Sequence, residues 1–197
     1  MRGIFACVFL LVAPLLAQAR LQSAEAAAGA TGPAFEASLG YVYLSMAMPS
    51  QRVGLSGLDA NGLVRVASRW GATVDSTYAG AGNVLATGHS GSVVSCLAGP
   101  VFYPVGHGQT GIFVHALAGA SWVDSAVPVS GTHYLGGWVT RPSYAVGGGI
   151  ERYLFRPVAV RAQADYQRTT FVNPTGALQG QNNLRLVTSI VYRFGNR

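Results

Sequence analysis

The sequence predicts an all-β fold, an eight-stranded antiparallel transmembrane β-barrel preceded by a cleavable signal peptide. Three observations carry this expectation. Only 10% of the 197 residues are charged, while half are apolar and 26 are glycine; a typical soluble domain is roughly 25% charged. Past residue 19, no stretch approaches the ~20 apolar residues of a membrane-spanning helix. From Pro33 onward the chain instead breaks into apolar-alternating segments divided by Gly, Ser, Asn and Pro clusters. A lipid-facing barrel hides apolar surface in this way, because only every second residue must be apolar.

The N-terminus has the order of a secretory signal. A basic start (Met1, Arg2) precedes an apolar run from Ile4 to Ala17, and Ala17-Gln18-Ala19 forms a small-x-small site ahead of Arg20. The run is short for a helical span, so export is expected rather than a helical anchor. The predicted organisation is 1–19 signal peptide, 20–34 flexible lead-in and 35–194 barrel. Cleavage after Ala19 leaves Cys96 as the remaining cysteine, and no intramolecular disulfide can form. All thirteen basic residues are Arg. They are scattered singly, without the clustered, aromatic-interleaved pattern of a nucleic-acid surface.

The first strand is read at Phe35–Leu44, with Phe35, Ala37, Leu39, Tyr41 and Tyr43 opposing Glu36, Ser38 and Gly40. In the second, Leu58–Val66, Asp59, Asn61 and Arg65 share the polar face. A tight turn at Ser68-Arg69-Trp70 leads to the third, Gly71–Tyr78, which presents Thr73 and Asp75 opposite Ala72, Val74 and Tyr78. The fourth, Ser92–Tyr103, carries Cys96, Ala98, Pro100 and Phe102 on one face. Proline donates nothing to a ladder, so a bulge or irregularity is expected at Pro100. The fifth, Gly111–Trp122, cannot be faced by periodicity, since Phe113, His115 and Leu117 alternate with Ile112, Val114 and Ala116. After the longest link, Val123–Pro142, comes the sixth at Ser143–Arg152. The seventh, Val158–Thr169, alternates most cleanly: Val158, Val160, Ala162, Ala164 and Tyr166 against Arg161, Gln163, Asp165 and Gln167. The eighth, Asn182–Phe194, sets Leu184, Leu186, Ile190, Tyr192 and Phe194 against Asn183, Arg185, Ser189 and Arg193. Links after the odd strands are long and those after the even strands short, the arrangement of a barrel with both termini on the periplasmic side.

An arginine facing hydrocarbon at mid-depth costs roughly 2–4 kcal/mol, so the polar faces must point inward. The expected interior network comprises Arg65, Asp75, Glu151, Arg161, Asp165 and Arg185, with Gln163 and Glu36 as hydrogen-bonding neighbours. Arginine suits it, because its planar fork bonds carboxylates in pairs and stays charged. Aromatic girdles are expected from Trp70, Tyr153, Phe155, Tyr192 and Phe194 at one interface, and from Tyr41, Tyr78, Trp122, Tyr166 and Phe171 at the other.

The segment Tyr144–Phe194, with AVGGGIERYL, PVAVRAQADYQRTTF and NNLRLVTSIVYRF, resembles the final strands of OmpA/OmpX-like bacterial outer-membrane β-barrel domains. Gly99-Pro100 and Phe113–Leu117 are similar too. The resemblance implies residence in the bacterial outer membrane, among its lipid and lipopolysaccharide. It also implies that Ile190, Tyr192 and Phe194 form a C-terminal signal for the barrel-insertion machinery, although Gly195-Asn196-Arg197 follow where that signal often ends.

Catalytic chemistry is sparse. His89, His107, His115 and His133 show no metal-ligand spacing, there is no G-x-S-x-G elbow, and the Gly147-Gly148-Gly149 run precedes no helix. No cofactor or metal is expected. The expected role is a non-enzymatic structural or adhesion-type scaffold with a side-chain-filled lumen. Two alternatives stand beside it. A lipid-A-modifying barrel enzyme would have His115 or His133 as its base. A soluble lipocalin-like barrel would have apolar residues inside.

Overall fold

The computed structural model describes residues 35–47, 52–82, 90–105, 109–124, 127–130, 133–135, 137–155, 157–172 and 178–194. The predicted signal peptide and lead-in, His89 and His107 lie outside them. Ten strands form: β1 (Phe35–Ala47), β2 (Arg52–Arg65), β3 (Trp70–Ala81), β4 (Gly91–Val105), β5 (Thr110–Asp124), β6 (Val127–Ser130), β7 (His133–Leu135), β8 (Trp138–Phe155), β9 (Val158–Val172) and β10 (Leu178–Phe194). Eight close into one barrel in the order β1-β10-β9-β8-β5-β4-β3-β2, each antiparallel to its neighbours. The other two, β6 and β7, pair only with each other. They occupy the link expected to be the longest, which sequence reading left without structure.

Hydrogen-bonded partners followed round the wall show how the sheet closes. The path runs from Ser38 through Asn61, Asp75, Leu97, Gly119, Ser143 and Thr169 to Gln181. Gln181 lies three residues before Leu184, which faces Ser45. The path therefore returns about ten residues further along β1 than it began. Such a stagger on eight strands tilts them and fixes a lumen that side chains can fill.

Every barrel strand is longer than its sequence pattern marks out, the lengths running from 12 residues in β3 to 18 in β8. Most of the added length is at the end away from Phe35 and Phe194, here called the loop end. There β1 and β2 stay paired to Ala47 and Arg52, so the first link, expected to be long, is largely ladder. Antiparallel pairing continues past the apolar belt because each added pair satisfies backbone groups that would otherwise need water. At the opposite, terminal end the turns are tied to neighbouring strands: Tyr103 N donates to Arg69 O, and Arg193 N to Pro157 O.

Pro100 sits on the outer face, opposite Ala72. The β4–β5 ladder keeps one register at Ala98↔Ala118 and Val101↔His115, and its shift falls later, between Phe102 and Val105. Gly99 and Pro100 themselves make no pair with β5, so the irregularity expected at the proline is there, and the register shift is a second one nearer the terminal end.

Candidate functional site: the filled lumen

Facing follows from strand parity. Leu39, Tyr41, Leu58, Tyr78, Val114, Val146, Tyr166, Leu186 and Ile190 are exposed on the outer surface, while Glu36, Asp59, Asp75, Glu151, Arg161, Asp165 and Arg185 are buried inside. This is the reverse of a soluble ligand-binding barrel, whose apolar residues line the interior. β5, undecided in sequence, puts Phe113, His115 and Leu117 inward and leaves Ile112 and Val114 exposed outside.

The outer wall is edged by aromatic residues. At the terminal end Trp70 packs on Phe102 with ring centroids 4.8 Å apart, Phe35 on Phe194 at 5.5 Å, and Tyr192 on Phe194 at 4.7 Å. Ile190, Tyr192 and Phe194 all project outward. Near the loop end the Tyr41 hydroxyl donates to Ser56 Oγ and that of Tyr166 to Asn182 Oδ1, at 2.8 and 2.7 Å. Tyrosines whose rings lie on an apolar wall while their hydroxyls reach a polar rim mark a membrane–water boundary. Tyr153, assigned above to a girdle, instead lies beneath the Arg193 guanidinium, 4.4 Å from it. The side chain of Phe171 is outside the described residues.

Inside, the charges form two groups. The first, near the terminal end, joins Glu36 and Glu151 to three arginines. Arg65 Nε donates to Glu36 Oε1 at 2.9 Å, and Arg161 Nη2 lies 2.6 Å from Glu151 and 3.1 Å from Glu36. Arg193 Nη2 reaches Glu36 directly across the β1–β10 pairing. Aromatic faces cover all three of these cations, with Arg65 3.8 Å from the Tyr103 centroid, Arg161 5.1 Å from that of Phe113 and Arg193 4.4 Å from that of Tyr153.

The second group, toward mid-lumen, has the opposite balance. Arg185, with 0% exposure, has Nη2 at 3.0 Å from Asp59 Oδ2 and 2.5 Å from Asp75 Oδ2, and its Nε lies 3.6 Å from Asp165 Oδ2. Thr77 donates to Asp59 and Gln163 to Asp165, while His115 Nε2 lies 2.9 Å from Asp165 Oδ1. One arginine therefore serves three aspartates. Asn61 joins the groups, donating to Asp75 and accepting from Arg161, both at 3.4 Å. Burying a charge is expensive unless it is paired and hydrogen-bonded; here five of the chain's seven acidic residues are enclosed with four arginines.

All six network residues expected from sequence lie in the lumen, but in two clusters rather than one. Glu36 is a centre of the first rather than a neighbour. Asp59, Arg193 and His115 belong as well; parity put the first two on inner faces, but nothing local shows which partners they meet across the barrel. The glycine run gives the network room. A Cβ on Gly147 would collide with Asp165 Oδ1 and the Ala164 carbonyl, and one on Gly149 with the Ala162 carbonyl and the Phe113 ring. Close packing, not phosphate binding, explains these glycines.

Toward the loop end the lumen turns apolar on one side. Val42, Leu44, Met46, Val53, Leu55, Ala79, Val93 and Val187 form a single buried cluster. The opposite wall is polar: Gln167 Nε2 donates to Ser143 and Ser121 at 3.3 and 3.5 Å, and Asn183 to Thr169 at 3.1 Å. The expectation of polar or small residues inside thus fails for the loop-end half of β1 and β2. A lumen closed by its own packing needs no water there, so apolar side chains fill it. Cys96 lies half-buried on the outer face, accepting from Ser76 Oγ at 3.8 Å. Among the described residues no group of three or more His, Cys, Asp or Glu could hold a metal ion.

No family model and no curated protein matches the chain. Solved structures do. Neisserial surface protein A superposes with a TM-score of 0.64 at 13% identity, covering 82% of this chain and 99% of that one. Ail, the attachment invasion locus protein of Yersinia pestis, in complex with the heparin analogue sucrose octasulfate, gives 0.56 at 15%, covering 82% and 99%. OprG, an outer membrane protein of Pseudomonas aeruginosa, gives 0.52 at 10%, covering 85% and 99%. At these identities the likeness is one of fold. The fold is that of the small barrels of bacterial outer membranes, as the resemblance in the last three strands implied.

Proposed function

We propose that the protein is a non-enzymatic outer-membrane scaffold, exported by its N-terminal signal, whose lumen is sealed by its own side chains and whose loop end faces outward. The observation that carries this reading is the continuous filling of the lumen, from the Glu36–Glu151 cluster through Arg185 to the apolar cluster around Leu44. An eight-strand barrel so filled holds a rigid rim rather than a channel. The apolar outer wall between two aromatic edges supports a bilayer location, with outer-membrane lipid and lipopolysaccharide against it. Ile190, Tyr192 and Phe194, exposed in a row on the closing strand, suit recognition by the insertion machinery. The lipid-modifying alternative loses one of its two candidate bases, since His115 is enclosed in the lumen and held by Asp165, facing away from lipid; the side chain of His133 is outside the described residues.

The reading is tested by membrane fractionation, a heat-modifiability gel and single-channel recording on the purified protein. Expected are a membrane-bound protein, a folded band that shifts on boiling, and no large steady conductance. Solubility without detergent would overturn the membrane location, and a steady open-pore current would overturn the sealed lumen.

A further inference from the structure

The lumen charges are distributed unevenly along the chain. Strands β1–β3 supply Glu36, Asp59, Asp75 and Arg65 to the network, a formal −2. Strands β8–β10 supply Glu151, Asp165, Arg161, Arg185 and Arg193, a formal +1. Between them β4 contributes no charged group to the network, and β5 contributes only His115. The first and last thirds of the barrel thus carry complementary interior charge.

The two shortest ion pairs, Arg185–Asp75 and Arg193–Glu36, cross between those thirds, and further contacts join them. Arg193 and Arg161 of the C-terminal strands meet Glu36 of β1, Arg185 meets Asp59 and Asp75 of β2 and β3, and Arg161 donates to Asn61 of β2. These partners lie 100 to 157 residues apart in sequence. They can meet only when β1 pairs with β10, since in an open sheet those two strands are its opposite edges.

We infer that the two-cluster ion network is a closure latch, which holds the β1–β10 seam shut by binding the interior of the N-terminal three strands to that of the C-terminal three. The seam has no covalent connection, and its backbone ladder is no different in kind from the other seven. What distinguishes it is the charge meeting behind it. An open seam would leave Asp59 and Asp75 without a guanidinium and strip Glu36 of Arg161 and Arg193, and truncating one partner of such a pair is far costlier than losing a neutral hydrogen bond.

The test is residue-resolved amide hydrogen exchange on the full barrel in lipid nanodiscs. The β1–β10 ladder is compared with the β3–β4 ladder in the wild type, Glu36→Gln and Arg185→Lys. Glu36→Gln is expected to accelerate exchange at β1–β10 amides such as Tyr43 and Leu186 roughly a hundredfold. Exchange at β3–β4 amides such as Thr77 and Leu97 should change far less. Arg185→Lys keeps the charge but loses the fork, and should open the seam to a smaller degree. As a control, Gln167→Ala removes lumen hydrogen bonds made only to β5 and β8 and should leave the seam at its wild-type rate. Acceleration spread evenly over all ladders would overturn the latch, as would a seam opened equally by Gln167→Ala. If Glu36→Gln does not fold, Arg193→Gln at the rim replaces it, with the same seam-selective acceleration required.

Discussion

The two ion clusters are built from the same chemistry with inverted stoichiometry, and the inversion decides what each can lose. Near the terminal end two glutamates are shared among three arginines, each also resting on an aromatic face. At mid-lumen three aspartates depend on one arginine. Removing a cation from the first leaves others in reach of both glutamates. In the second, the same removal leaves three buried carboxylates with hydroxyl, amide and imidazole partners only. Redundancy and dependence therefore sit within one lumen, a few residues apart along the same strands.

Urea unfolding in lipid vesicles sharpens this contrast. Arg185→Met is expected to have the largest effect, a loss of about 3–5 kcal/mol, because it strips the only guanidinium from a buried anionic site. Leu44→Ala, in the apolar cluster above, should cost about 2–4 kcal/mol through the cavity it leaves. It serves as the scale for a lumen change that involves no charge. Arg65→Met should cost about 1–2 kcal/mol, since Arg161 and Arg193 still contact Glu36. Asp75→Asn should stay within about 1 kcal/mol of the wild type, because it trims an excess of carboxylates and keeps a side chain able to accept from Arg185. Equal losses for Arg65→Met and Arg185→Met would break the comparison, and so would a large loss for Asp75→Asn.

Legibility in the sequence tracks how strongly each strand's two faces differ. β9 could be read directly because Arg161, Gln163, Asp165 and Gln167 alternate with Val160, Ala162, Ala164 and Tyr166, and only one facing avoids charge in lipid. β5 could not, because Phe113 and Leu117 are as apolar as Ile112 and Val114. Its facing is set by what it meets inside, namely the space left by Gly149 and the carboxylate of Asp165. The loop-end half of β1 misled for a related reason. Val42, Leu44 and Met46 alternate with Tyr41, Tyr43 and Ser45, and an apolar lumen contradicts the usual polar interior of such barrels. The division into two clusters was beyond reach, because Glu36 and Arg193 meet across 157 residues and nothing local records it.

The position of Cys96 on the outer face of β4 has a practical consequence. Its thiol points away from every lumen charge, on the wall that the acyl chains would cover. A lipid-soluble maleimide should therefore modify it in the folded barrel, whereas a membrane-impermeant one should react only after unfolding. A nitroxide attached there would serve as a ruler of immersion depth, native to the chain and independent of the network within.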